Sequence, residues 1–197
     1  MDWLVDDAGI CQALSPRKFP FLPSPYRLYH FLTDLDALLE QSPHPQDLLP
    51  QLFPRVAHLL HTSPWLQWPD LTPDADLGWA VQTLYDEPNY PITVQRVAWA
   101  ANGRSPVHNH ATWGLVAQVV GTEVNHLWRR VAPDSDAVAP AGDYPLRAGD
   151  MIGFYPNAIH SIAAGDDAPT LTFNLYGLTD YQQRWQFDPS TGTAQLF

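Results

Sequence analysis

Two histidines separated by a single residue stand in the stretch SPVHNHATWGLVAQVVG, residues 105–121. Side chains of a β-strand alternate between its two faces, so His108 and His110 are expected to point to the same side. Two imidazoles on one face can bind one metal ion without distorting the backbone, and neutral imidazole is the commonest metal ligand in proteins. The spacing therefore predicts a metal site that a third ligand from another strand completes.

The best candidate for the third ligand is His160, in the stretch GDMIGFYPNAIHSIAAG. It follows a Gly-Asp turn and a proline, and it opens a β-prone run that can lie opposite the first pair. A lone histidine is more often a core or surface residue, but a His-x-His pair followed by a second histidine strand favours a shared metal. His126 has no such partner, and we interpret it as structural.

The elements that must position these histidines begin with two helical segments. Residues 26–41 place apolar side chains on one face of a helix, and QDLLPQLFPRVAHLLHTS is a second helical region that Pro50 and Pro54 confine or kink. His58 and His61 lie three residues apart in that region, but no third ligand candidate lies nearby, which disfavours a metal role. The proline-broken residues 1–25 are expected to form a loose arm.

From residue 77 onward the sequence consists of short β-prone runs that Gly, Pro, Asn and Asp separate. Many short strands with no helices between them are typical of an antiparallel sandwich or barrel. The sequence therefore predicts an N-terminal arm at 1–25, a helical segment at 26–70 that packs on the β unit, and the β unit itself at 71–197.

Composition limits the classes of partner. The 197 residues carry 10 Lys+Arg against 21 Asp+Glu, for a net charge of −11, so we expect no nucleic-acid partner. The letters HNH also name a nuclease class, but that motif spreads over a longer segment and needs a phosphate-binding face. A single cysteine, the lack of a signal-peptide pattern and the lack of a long apolar run predict a cytoplasmic protein without a membrane partner. Both a monomer and a homo-oligomer are compatible with the sequence.

The two histidine motifs resemble those of the cupin superfamily, whose fold is a double-stranded β-helix barrel. The matching patterns are G-x-x-x-x-H-x-H with a closing glycine, and G-D followed by P-x-x-x-H. The usual cupin pattern has a glutamate seven residues before the closing glycine, and counting back from Gly121 gives Gly114 instead. This departure leaves three histidines, as in the cysteine dioxygenase family. The stretches PVHNHATWGLV, NLYG and RWQFDPSTG are most similar to the bacterial 3-mercaptopropionate dioxygenase group, and the resemblance covers the chain from about residue 26.

The resemblance implies a mainly β fold, a cupin barrel with an N-terminal helical segment. It also implies a non-haem Fe(II) centre held by His108, His110 and His160, with Ni or Zn as alternatives in purified protein. Three neutral nitrogens leave up to three positions of an octahedron open, unlike a closed structural site. The implied reaction adds O2 to the sulfur of a small thiol, the mercapto-carboxylate 3-mercaptopropionate or cysteine, and gives a sulfinic acid.

Further roles follow from the same resemblance. Tyr176 takes the position of the family tyrosine near the metal, with Thr172 and Asn174 on the same face of its strand. Asn174 replaces a family histidine and cannot relay a proton near neutral pH. Gly114 takes the place of the cysteine that animal enzymes cross-link to the tyrosine, so no such cross-link is expected.

The motifs say less about which residues bind the substrate. Arg184 stands where the mercaptopropionate group has a substrate-binding arginine, and Arg96 and Arg104 are alternatives. Trp113 flanks the first motif and is a candidate pocket residue, although aromatic residues in a β unit are more often core. Asn109 replaces a family aspartate; it points away from the metal, which favours a hydrogen-bonding role behind the ligands.

Two other functions stay open. One is a different three-histidine cupin oxygenase that cleaves β-dicarbonyls or flavonols, which the loss of a histidine at position 174 keeps possible. Its site is expected to be more apolar and to lack a substrate arginine. The other is a non-catalytic cupin that binds a metal or a small ligand.

Overall fold

The computed structural model describes residues 1–19, 22, 24–88, 90–165 and 167–197. Two α-helices and a short 3-10 helix lie between the second and third strands: α1 (Leu28–Gln41), α2 (Pro45–Thr62) and the 3-10 helix Pro64–Gln67. The strands are β1 (Asp2–Val5), β2 (Cys11–Ala13), β3 (Trp79–Asp86), β4 (Ile92–Trp99), β5 (Val107–Asn109), β6 (Gly114–Val120), β7 (Thr122–Arg130), β8 (Val138–Arg147), β9 (Met151–Phe154), β10 (Ile159–Ala164), β11 (Thr170–Gly177), β12 (Trp185–Asp188) and β13 (Thr193–Leu196).

The strands form two sheets. The first has the order β2-β1-β9-β6-β11-β4-β3, and the second has the order β13-β12-β5-β10-β7-β8. Successive strands from β4 to β7 alternate between the sheets, as do β9 to β12, so strands distant in sequence become neighbours. This alternation places β10 between β5 and β7, and it brings the two histidine motifs together.

The main apolar core lies between the helices and the outer face of the first sheet. It combines helix residues such as Leu52 and Phe53 with strand residues such as Leu115, Phe173 and Leu175, all at most 1% exposed. Residues of the opposite parity on the same strands face the second sheet instead. The first sheet therefore separates a dry helical layer from an inter-sheet space.

The predicted loose arm is partly strand. β1 pairs in parallel with β9, with Leu4 opposite Gly153, and β2 pairs with β1 in antiparallel fashion. The Arg17 guanidinium donates to both carboxylate oxygens of Asp2, at 2.7 and 2.6 Å. A short strand whose partner lies about 150 residues away leaves no local pattern, which explains the error. Residues 20, 21 and 23 of the predicted arm lie outside the described residues.

Prolines interrupt less structure than their number suggests. Helix α2 runs through Pro50 and Pro54, and eight of its residues are buried, so tertiary packing outweighs the lost backbone hydrogen bonds. Strand β8 contains Pro140 and Pro145 and lies at the edge of the second sheet, the position at which strands tolerate proline. Within the described ranges, no helix is long and apolar enough to cross a membrane.

Candidate metal centre

Backbone pairing brings the three predicted ligands together. Strands β5 and β10 are antiparallel, with His160 directly opposite His108. His110 follows the end of β5, where Ala111 has a φ of 52° and turns the chain. The three imidazoles are at most 8% exposed, and their ligand atoms lie within 4.8 Å of one another. The structure thus places all three in one buried cluster.

The three imidazoles are close enough to share one ion. His110 Nε2 and His160 Nε2 are 2.9 Å apart. The ligand atoms of all three histidines lie within 4.8 Å of one another, so the three nitrogens can reach a common ion.

Hydrogen bonds behind the rings orient two of the ligands. His160 Nδ1 lies 3.0 Å from Asn125 Oδ1, and His108 Nδ1 lies 3.0 Å from the carbonyl oxygen of Pro106. Because both partners accept, each Nδ1 carries the proton and each Nε2 keeps its lone pair for a metal. Asn125 therefore fixes the tautomer of His160.

Burial keeps the histidines neutral. It lowers the pKa of His108 to about 4. Burial, helped by the neighbouring imidazoles, lowers the pKa of His110 and His160 well below its ordinary value. Uncharged imidazoles at physiological pH are the form that binds a metal, so the donor set fits a divalent cation.

Gly114 explains why this strand adds no carboxylate. A Cβ at this position would lie 2.9 Å from two carbons of the Tyr176 ring, which is too close for any side chain without displacing the ring. The ring centroid of Tyr176 lies 4.8 Å from that of His110. The Tyr176 ring thus occupies the space that a side chain at position 114 would need, and the cluster among the described residues consists of three histidines.

A cavity of about 380 Å³ opens beside the cluster, and Thr172, Asn174 and Tyr176 line it from β11. The Thr172 hydroxyl donates to the carbonyl oxygen of Val97 at 3.3 Å. Burial raises the pKa of the Tyr176 phenol, so it keeps its proton and can donate. Asn174 Oδ1 is buried without a hydrogen-bond partner among the described residues, so it can accept from a ligand.

Of the three candidate arginines, Arg184 lines this cavity. Its guanidinium lies 4.3 Å from the ring centroid of Phe197, and that ring stacks on His108 at 5.4 Å. Arg96 lies on the opposite face of β4, where it donates to Gln82 and to Asp70. Arg104 forms an isolated antiparallel β-bridge with Ala163 through its backbone, and it is not among the residues that line the cavity.

Aromatic residues near the motifs divide between the cavity and the core. Trp113 packs in the core between the helices and the first sheet and is absent from the cavity lining. Like Leu115 two residues later, its side chain points to the face of the first sheet that the helices cover. Trp99 lines the cavity instead. Tyr155 packs against the helical core. The predicted substrate contact of Trp113 is therefore not present in this structure.

Asn109 connects the ligand strand to the arginine. Its Nδ2 donates to the carbonyl oxygen of Gln183 at 3.0 Å, and its Oδ1 accepts from the backbone N–H of Trp185 at 2.7 Å. These two bonds lie on either side of Arg184. An aspartate in this position would supply the second bond but not the first.

Other histidines lie outside the cluster. His126 Nδ1 is 2.7 Å from Asp143 Oδ1, in a partly exposed pair between β7 and β8. His58 packs against the Tyr26 ring, with centroids 5.4 Å apart.

Strand β7 contributes polar residues that sequence reasoning missed. Glu123 and Asn125 both line the cavity and are at most 2% exposed. Glu123 accepts a hydrogen bond from the Thr170 hydroxyl, and burial raises its pKa to about 7. Alternating polar residues usually indicate a solvent-facing edge, so the pattern gave no sign that this face points inward.

Comparison with solved structures returns partial matches at low sequence identity. No family model matches the chain. An oxalate oxidase in complex with glycolate is 14% identical, with a TM-score of 0.45 over 56% of this chain and 56% of that chain. A cupin superfamily protein from Desulfitobacterium hafniense is 10% identical, with a TM-score of 0.45 over 58% of this chain and 88% of that chain. The Cnp3 cupin domain from Schizosaccharomyces pombe is 12% identical, with a TM-score of 0.44 over 57% and 71%. Cupin domains are thus among the structural neighbours.

Proposed function

We propose that this protein is a non-haem iron oxygenase that adds both atoms of O2 to the sulfur of a mercapto-carboxylate. The observation that carries the proposal is the combination of three neutral, buried imidazoles with an arginine on the same cavity. The reaction balances without an external reductant, because a thiolate and one O2 give one sulfinate.

The donor set suits the chemistry. A ferrous ion held by three imidazoles supplies the redox reactivity needed to oxidise a thiolate with O2. Because the cluster among the described residues contains three neutral histidines and no carboxylate, an ion bound there would keep its full charge and favour an anionic ligand such as a thiolate. Tyr176 beside His110 excludes a fourth protein ligand from β6 and offers a phenol proton to whatever binds next to it.

Arg184 supplies the complementary charge for a substrate carboxylate. Its Nε is buried and has no hydrogen-bond partner among the described residues, so a donor is available. Stacking on Phe197, which itself stacks on His108, holds the guanidinium close to the metal ligands. A guanidinium binds a carboxylate through two parallel hydrogen bonds, and this orients the thiol toward the histidines.

The test is oxygen uptake by protein loaded anaerobically with Fe(II), measured with 3-mercaptopropionate, cysteine and cysteamine, with the sulfinate identified by mass spectrometry. Arg184→Gln is expected to lower kcat/KM for 3-mercaptopropionate by about 10- to 100-fold, the value of one charged hydrogen bond. Cysteamine, which has no carboxylate, is expected to react equally well in both forms. Arg129→Gln, an exposed arginine away from the histidines, is the matched control.

Absence of thiol-dependent oxygen uptake across the panel would contradict the proposal. The cavity also contains Trp79 and Trp99, and an apolar aromatic wall is the feature expected of an oxygenase that cleaves β-dicarbonyls or flavonols. Turnover of such compounds that survives Arg184→Ala would favour that second candidate. Stoichiometric metal binding without turnover of any compound would favour a binding protein.

A further inference from the structure

The inner face of the first sheet changes from polar to apolar with distance from the histidines. Strand register places Tyr176 beside Thr93, and Asn174 beside Gln95. Two residues further, Thr172 lies beside Val97, which pairs with Val81 on β3. The last row holds Thr170, Trp99 and Trp79.

The apolar rows continue the same cavity. Glu123 also lines it, from β7, and accepts a hydrogen bond from the Thr170 hydroxyl. The apolar lining consists of Trp79, Val81, Val97 and Trp99 from the first sheet, with Pro106 and Ile162 on the opposite side. We call these six residues the valine–tryptophan trough. From Thr93 to Trp99, which both line the cavity, strand β4 advances six residues, or about 20 Å at about 3.4 Å per residue. A three-carbon acid that reaches from the three histidines to Arg184 would leave the trough empty.

The trough exposes apolar surface at the rim of a polar site. Trp79 and Val81 are each 39% exposed on the edge strand β3, and the Trp79 and Trp99 rings are 6.2 Å apart. Apolar surface that is continuous with a cavity is typical of a ligand-binding groove. Because Arg184 lies at the histidine end, the ligand must place its charged group there and its apolar part in the trough.

We propose that the substrate is an amphipathic mercapto-carboxylate, with thiol and carboxylate at the histidine end and an alkyl or aryl tail along the valine–tryptophan trough. The inference rests on the proposed function and deepens it, since it names the substrate class of the same site. It differs from a small, three-carbon thiol by the tail alone.

The experiment measures binding and turnover separately. Binding of 3-mercaptopropionate, 3-mercaptohexanoate and 3-mercaptodecanoate to Fe(II)-loaded protein is measured by calorimetry under argon, so no oxidation occurs. These compounds share one head group and differ in the tail. Kd is expected to fall by about two- to fourfold for each added methylene, the value of burying it in an apolar site. Oxygen uptake with the same series is measured in parallel.

A matched pair of variants locates the tail. Val81→Asp puts a charge in the trough and is expected to abolish the gain in affinity with chain length. Val131→Asp, at an exposed valine outside the cavity, is expected to keep the gain. Thermal unfolding of both variants verifies that they fold.

The outcomes separate the two proposals. Equal Kd values across the series, or the same gain in Val81→Asp as in the original protein, would overturn the tail inference even if 3-mercaptopropionate is oxidised. Tail-dependent binding without oxygen uptake would overturn the oxygenase and leave the binding inference standing.

Discussion

The two faces of the first sheet have opposite character. On β11, Phe173 and Leu175 face the helices and are fully buried among Leu52, Phe53 and their neighbours. The alternate residues Thr172, Asn174 and Tyr176 face the second sheet and line the cavity. One strand therefore supplies both the apolar core and the candidate site.

The difference shows where stability and chemistry are located. Burying polar groups such as Asn174 Oδ1 without a partner costs free energy. The helical layer buries enough apolar surface to offset that cost, so the inter-sheet space does not have to be the main core. We therefore expect changes in the cavity to alter metal and ligand binding, and changes in the helical layer to alter folding.

The largest effect is expected from His160→Ala. This change removes one of three ligands, and it should weaken Fe(II) binding by more than the ~10–100-fold that loss of a residue behind a ligand causes. The far-ultraviolet circular dichroism should be unchanged, because the main core lies on the other face of the first sheet. Metal content after dialysis measures the loss. His126→Ala is the control and should keep its metal; a His160→Ala protein that also keeps stoichiometric metal would refute the three-histidine site.

Phe53→Ala tests the opposite region. Phe53 is 1% exposed and belongs to the same core cluster as Leu4. Its ring lies so close to β9 that a Cβ at Gly153 would be 3.1 Å from it. Its truncation should lower the free energy of unfolding by about 3–5 kcal/mol, measured by urea denaturation. Metal affinity of the folded protein should stay the same. A large loss of metal affinity at unchanged stability would show that the two regions are not separable in this way.

The sequence predicted the ligands well because strand parity is a local property. His108 and His110 share a face in any extended segment, and a third histidine strand with turn signals before it is recognisable. The helices are similarly visible in apolar periodicity. For Arg184 the sequence offered a resemblance, and the structure places it on the cavity.

The features that were missed depend on distant contacts. β1 pairs with β9 across about 150 residues, and β8 tolerates two prolines because it lies at a sheet edge. Which face of β6 and β7 points inward also needs the fold, so Trp113 was placed at the pocket and Glu123 was overlooked. The stacking of Phe197 on His108 has no sequence signal at all.

Glu123 should make stability depend on pH. Its folded-state pKa of about 7 exceeds the ordinary value of 4.5, because burial disfavours the charged form. The contribution of Glu123 to the free energy of unfolding is therefore fully present below about pH 4.5 and is lost as the pH rises through about 7. The free energy of unfolding changes by about 3 kcal/mol in total. The negative charge of Glu123 contributes to the raised pKa of the Tyr176 phenol. The residues opposite Glu123 on β8 and β10, Leu146 and Ala164, are apolar.

Glu123→Gln removes this titration and keeps an oxygen for the Thr170 hydroxyl. The variant should be more stable than the original protein at pH 8 and equal to it near pH 4.5, as measured by urea denaturation at both values. Asp143→Asn, in the exposed pair with His126, serves as the control and should show no comparable gain. Parallel pH profiles for Glu123→Gln and the original protein would contradict the assignment.

The smallest expected effect tests whether Asn109 positions the substrate or supports the metal ligands. Asn109→Asp keeps the oxygen that accepts from Trp185 N–H but loses the donor to the Gln183 carbonyl, and both bonds flank Arg184. Loss of one neutral hydrogen bond is worth about 1 kcal/mol, and the new carboxylate oxygen would also face the Gln183 carbonyl oxygen, so KM for 3-mercaptopropionate should rise by at least about fivefold while kcat changes little. Cysteamine, which has no carboxylate to bind Arg184, should keep its KM, and the metal content should be unchanged. If KM rises equally for both thiols, Asn109 acts on the histidines that flank it rather than on the arginine. Asn109 would then belong to the metal centre instead of connecting that centre to the substrate's carboxylate.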